Sequence, residues 1–142
     1  MPFDIETSVG FLLAKAHQRL FARFRDILMP HGVTPPQFAL LAFLWKRDGL
    51  SQTELTEKTE VDRTTLSGLI DRLEKQGLVA RIPHPGDRRA YLVTLTAAGR
   101  KLEAELTPLA MSLRQQISAD LTADEYEQLC QLLKRMRGAC DD

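Results

Sequence analysis

Between residues 63 and 72 the chain sets out Arg63, Thr64, Thr65, Ser67, Gly68 and Arg72, and further on it carries the triplet Asp87-Arg88-Arg89. These side chains suit hydrogen bonding to a polyanion and to flat polar edges better than they suit bond-breaking. A guanidinium fork takes a phosphate or the O6/N7 edge of guanine, a hydroxyl takes a phosphate, and a threonine methyl meets the methyl of thymine. Small residues such as Ser67 and Gly68 let a helix backbone approach a groove floor. No carboxylate pair, Ser/His/Asp set, glycine-rich phosphate loop or metal-ligand cluster competes for a catalytic role. Asp62, Asp71 and Glu74 are better used as a cap and as surface partners, so neither an enzyme nor a metal nor a cofactor is expected.

The surrounding pattern positions those residues. Leu66, Leu69, Ile70 and Leu73 recur at three- and four-residue spacings, which makes one buried stripe on a helix and turns Arg63, Thr64, Ser67, Gly68 and Asp71 to the other side. Asp62 caps this helix and Gly77 stops it. Ahead of it, Ser51-Gln52-Thr53-Glu54 is a capping box for a shorter helix ending near Thr59, with Leu55 as its core residue. Two helices joined by so short a turn form a helix-turn-helix.

Strands are predicted over 78–82 and 90–94, separated by a projecting loop, 83–89, whose prolines and glycine oppose regular structure. Within it Asp87 is near enough to Arg89 for a carboxylate–guanidinium pair that stiffens the tip, while Arg88 points elsewhere. An arginine held at such a tip can enter a narrow minor groove, and its neighbour can take a phosphate. Each feature alone has a plainer explanation, a polar helix face or a solvated charged turn. Their order along the chain favours double-stranded DNA as the partner.

Net charge gives no help. Nineteen basic residues match nineteen acidic ones, and residues 51–94 hold seven of each. DNA affinity must then come from where the arginines point, and a winged-helix protein–protein adaptor without DNA binding stands as the alternative. With 142 residues, 44% of them hydrophobic, the chain suffices for one domain plus an oligomerisation element. No apolar run approaches the roughly 18 to 20 residues that span a bilayer, and the start lacks a basic segment followed by an apolar one, so a soluble cytoplasmic protein is expected. Cys130 and Cys140 read as free thiols.

Long amphipathic helices flank the centre. Residues 8–28 carry Leu12, Leu13, Ala16, Leu20, Phe24 and Ile27 on one side, and Pro30 and Gly32 end the run. Thr34-Pro35-Pro36-Gln37 opens a second helix to about residue 45, apolar nearly all round and so expected at the core. Thr96 caps a third, in which Pro108 is expected to cause a bend. Thr122-Ala123-Asp124-Glu125 is the capping box of the last. The predicted fold is mainly α with a small β-hairpin, divided as 1–34, 35–100 and 101–142. Two such apolar stripes exceed what so small a domain needs and favour an interface between copies.

The run VDRTTLSGLIDRLEKQGLV from Val61 to Val79, followed by Arg81 and by DRRAYLVTLTAAG from Asp87 to Gly99, resembles the MarR family of multiple-antibiotic-resistance regulators over practically the whole chain. The resemblance implies a winged helix-turn-helix with long N- and C-terminal dimerisation helices and a repressor, less an activator, that binds a palindromic operator as a homodimer. It places the 62–76 helix in the major groove and Arg89 in the minor groove. The implied dimer seam holds Phe3, Ile5, Val9 and Leu12 at one end and Leu129, Leu133, Met136 and Cys140 at the other.

The same resemblance implies a small aromatic or phenolic carboxylate effector, with His17, Phe21, Phe24, Phe38, Trp45 and Leu102 as candidate pocket residues. His17 falls among apolar residues of the first helix, where its imidazole can take a carboxylate or serve as a hydrogen-bonded core histidine. Phe38 and Trp45 also fit ordinary packing. Peroxide sensing through an N-terminal cysteine is not expected, because no cysteine precedes Cys130.

Overall fold

Four N-terminal caps set most of the helix starts in the computed structural model, which describes residues 2–138. Ser8 opens α1 (Val9–Leu28), Thr34 opens α2 (Pro35–Lys46), Ser51 opens α3 (Gln52–Thr59) and Asp62 opens α4 (Arg63–Lys75). A further capping box, Thr122 with Glu125, opens α6 (Ala123–Arg137). At Thr34, Ser51 and Thr122 the cap hydroxyl accepts one of the backbone N–H groups that a helix start leaves unpaired, and Gln37, Glu54 or Glu125, three residues on, accepts from the cap's own N–H in return. The last helix to place, α5 (Ala97–Ser118), runs continuously through Pro108.

The sheet has three antiparallel strands in the order β1-β3-β2, made of Leu50–Ser51, Asp87–Leu95 and Val79–His84. The expected seven-residue loop is corrected here: the strands continue through Pro83 and His84 on one side and from Asp87 on the other, leaving Pro85 and Gly86 as the turn. Pro83 is tolerated because β2 is an edge strand, where a missing N–H costs no ladder bond. The register shifts between Pro83 and His84, which absorbs the extra length of β3.

The described residues pack as two units, one ending at Leu109 and the other starting at Ala110. In the first, Leu40, Leu41 and Leu44 of α2 are buried with Leu66, Ile70 and Leu73 of α4 and with Val79 and Val93 of the sheet. The expectation of a central α2 holds. Among the described residues Gln37 is the buried polar one, 4% exposed, and both ends of its amide are satisfied: Oε1 accepts from the Thr34 N–H, and Nε2 donates to Gln76 Oε1 at 3.1 Å. Gln76 in turn donates to the Gly32 carbonyl at 2.6 Å, so the α1–α2 connection is fastened to the end of α4. In the second unit, the Arg114 guanidinium lies 4.8 Å from the centre of the Tyr126 ring. Among the described residues no single helix is long and apolar enough to cross a membrane. Cys140 lies outside the described residues.

Candidate nucleic-acid interface

The turn between α3 and α4 is made by Glu60, which closes α3 in the left-handed region at φ 58°, and by Val61. Asp62 then starts α4, its Oδ1 accepting the Thr65 N–H at 2.9 Å and its Oδ2 the Thr65 hydroxyl at 2.8 Å. Those two bonds, the backbone one first, hold the Asp62 carboxyl below the usual aspartate range. The Thr65 hydroxyl is thereby engaged in the cap. At the other end Gly77, at φ 75°, lets the Leu78 N–H reach back to the Leu73 carbonyl.

Between these ends α4 buries Leu66, Leu69, Ile70 and Leu73 and presents an open groove lined by Arg63, Thr64, Ser67, Gly68 and Asp71, with Gln52 of α3 as a further wall. A Cβ built on Gly68 meets nothing within 4 Å, so its bare backbone faces open space. Arg72 is exposed on α4 but does not line the groove. Gln52 was missed from the sequence, since its place as the first residue of α3 marks it only as part of a capping sequence.

Charge balance has a structural answer. Arg81, at the root of the hairpin, donates to Asp71 at 2.7 Å and to Glu74 at 3.0 Å, and its own backbone N–H reaches Glu74 at 3.2 Å. A longer contact of 3.5 Å runs from Arg81 to the Ser67 carbonyl. Glu54 is held by its capping box and by Arg47, and Asp62 by Thr65. Arg63, Arg72, Arg88 and Arg89 have guanidinium groups with no protein partner among the described residues. Equal numbers of charges thus leave unequal availability: several acids are engaged while four arginines are open.

At the wing tip the expected Asp87–Arg89 ion pair is corrected. Asp87 Oδ1 accepts from the backbone N–H of Arg89 at 2.9 Å, so the carboxylate fixes the backbone and leaves the guanidinium unbound. Opposite it, His84 Nδ1 accepts from the Gly86 N–H at 2.9 Å. Both sides of the turn are therefore braced by local side-chain bonds.

The aromatic candidates divide into two groups. Phe24, Phe38 and Trp45 stack edge to face, with centroids 5.0 Å and 5.7 Å apart, and the Trp45 indole N–H is used by the Gly99 carbonyl at 2.9 Å. Leu102 is partly buried and packs against the core. His17 is exposed instead of lying against an apolar wall, with Phe21 half-buried and their rings 5.7 Å apart.

A model of the MarR family matches residues 31–90. Over 135 residues the chain is 36% identical to the HTH-type transcriptional repressor NicR of Pseudomonas putida, covering 95% of this chain and 85% of that protein. Its structure is similar to that of Bordetella bronchiseptica BpsR, whose DNA binding is regulated by 6-hydroxynicotinic acid, with a TM-score of 0.92, 34% identity, and coverage of 99% of this chain and 100% of the other. It is also similar to a mutant Escherichia coli MarR complexed with operator DNA, with a TM-score of 0.85, 32% identity, and coverage of 90% and 92%. The chain therefore belongs to the MarR family, as a winged-helix DNA-binding regulator of transcription and not an enzyme.

Proposed function

We propose that the protein is a cytoplasmic repressor that occupies a palindromic operator as a homodimer and is released by a small aromatic or phenolic carboxylate. The observation that carries the DNA part is the set of unpaired arginines at Arg63, Arg72, Arg88 and Arg89 beside carboxylates already engaged. In this reading Arg63, Thr64, Ser67 and Gly68 enter the major groove, Arg89 the minor groove, and Arg88 and Arg72 take phosphates. Thr65 contributes its methyl, since its hydroxyl belongs to the cap.

Dimerisation is supported by apolar side chains left in the open. Phe3 is 79% exposed and Val9 61%, and in the second unit Met136 is 58% exposed and Leu132 45%. Segments 1–34 and 101–142 would supply the seam, with Leu129 and Leu133, also exposed, on the last helix. A two-fold dimer then calls for half-sites on the order of 34 to 36 Å apart. The effector part is supported by the regulation of BpsR by 6-hydroxynicotinic acid. His17 would meet the carboxylate, with Phe21 and Phe24 beside the ring, while Phe38 and Trp45 back them.

The test is selection of bound duplexes from randomised DNA, followed by titration with 6-hydroxynicotinic acid. A two-fold symmetric consensus, strong salt dependence, and a clear loss of affinity in Arg89→Ala at unchanged dimer mass are expected. Equal affinity of Arg89→Ala and the parent would overturn the wing assignment. His17→Ala should keep binding to DNA and respond less to the acid; an unaltered response would return His17 to a surface role.

A further inference from the structure

Gln52 occupies an unusual position for a residue outside the reading helix. It is the first residue of α3, half-buried, and it walls the same groove as Arg63, Thr64, Ser67, Gly68 and Asp71. Its Nε2 donates to the backbone carbonyl of Arg63 at 3.4 Å, a long bond that nevertheless orients the carboxamide, because only the NH2 end can face a carbonyl. One amide hydrogen is spent on that bond. A second N–H and the Oε1 acceptor remain, and neither has a protein partner among the described residues.

That leftover pair is an acceptor beside a donor on one planar group. Adenine offers the complementary pair on its major-groove edge, an N6 amino donor beside the N7 acceptor, and a carboxamide is the side chain that matches both at once. A phosphate needs only the donor and would leave Oε1 facing negative charge. From this geometry we infer that Gln52 reads an adenine in each half-site, making α3 a second source of sequence specificity beside α4. This rests on the DNA-binding function proposed above. Arg63 then has two duties, holding the Gln52 amide through its carbonyl and offering its guanidinium to the neighbouring base or phosphate.

The experiment compares the parent, Gln52→Ala and Gln52→Glu by duplex selection, then by titration of the parent's consensus with each base pair changed in turn. The parent should require A·T at one pair per half-site. Gln52→Ala should lose the requirement at that pair alone, with affinity for the consensus lowered roughly tenfold to a hundredfold. Gln52→Glu suits the start of a helix, so it should fold, and as an acceptor without a donor it should shift the preference at that pair toward cytosine. Uniform weakening on every duplex would make Gln52 a phosphate contact and overturn base reading, as would unchanged selection by both variants. Failure of the parent to bind any duplex would instead overturn the DNA-binding function itself, and this inference with it.

Discussion

The indole N–H of Trp45 donates to the carbonyl oxygen of Gly99 at 2.9 Å, at a point where a Cβ on Gly99 would stand 2.1 Å from the Leu78 carbonyl oxygen. Three elements meet there: the core helix α2, the start of α5, and the residue leading into β2. The obstacle is backbone, which cannot rotate aside. Gly99→Ala is therefore expected to cost about 3 kcal/mol or more, at the upper end for overpacking. Trp45→Phe should cost less, about 0.5 to 1.5 kcal/mol, for the loss of one part-buried hydrogen bond to a carbonyl that α5 still engages. Chemical denaturation of both variants checks the order, and a Gly99→Ala protein as stable as the parent would contradict the close approach.

Removal of the Arg81 guanidinium should harm DNA binding more than stability. Arg81→Gln leaves Asp71 and Glu74 without their cation beside the groove, where duplex phosphates would meet two open carboxylates. Both carboxylates are largely solvated, so the fold should lose no more than about 1 kcal/mol. Affinity for DNA should fall, and the triple variant with Asp71→Asn and Glu74→Gln should regain part of it. Absence of any such recovery, measured by titration at fixed salt, would mean that Arg81 acts by shaping the hairpin and not by screening.

Gly68 separates stability from recognition. Its Cβ position is open and its φ is helical, so Gly68→Ala should stabilise α4 by up to about 1 kcal/mol. Gly68→Leu should fold as well, yet fill the groove and weaken DNA binding severely. Thermal melts and duplex titration on the same samples decide this; full affinity in Gly68→Leu would show that no base comes near the helix backbone there.

Acid should loosen the start of α4. The folded Asp62 carboxyl titrates below its ordinary value because it accepts from the Thr65 amide and hydroxyl. A depressed folded pKa gives stability that is present above the unfolded value and is lost as pH falls through the folded one. Asp62→Asn keeps an amide oxygen to accept from Thr65 but cannot titrate. Its melting temperature should fall less steeply than the parent's below about pH 4, where carboxylates ordinarily take up protons. Identical acid limbs for the two proteins would deny Asp62 this part.

Much of the fold was legible because it is written in local signals. Thr34 with Gln37, Ser51 with Glu54, and Thr122 with Glu125 each name a helix start within four residues, and all three boxes form. Gly77 announced the end of α4 for an equally local reason, its left-handed backbone. The wing was harder. Prolines at 83 and 85 suggested a break at both, but Pro83 sits on an edge strand and pairs with Tyr91 all the same. Strand β1 is two residues long, too short to show any alternation. The groove's polar framework was out of reach for another reason: Arg81 finds Asp71 and Glu74, and Gln52 finds Arg63, across separate elements, where no fixed spacing links partners in the chain. Asp87 was seen as a partner for Arg89, and only the atom was mistaken, because its backbone bond gives a tighter ring than a guanidinium contact would.

Ser51 pairs with Leu92 at one margin of β3 while its hydroxyl opens α3, and on the other margin Arg81 is clasped by α4. The hairpin is consequently laced on both flanks to the two helices it accompanies. It cannot swing as a free flap. In the homodimer proposed above, release from DNA would carry helix pair and hairpin together, through a change in the distance from one copy to the next, and substitutions far from any nucleotide would then silence the molecule while the surface offered to DNA keeps its shape.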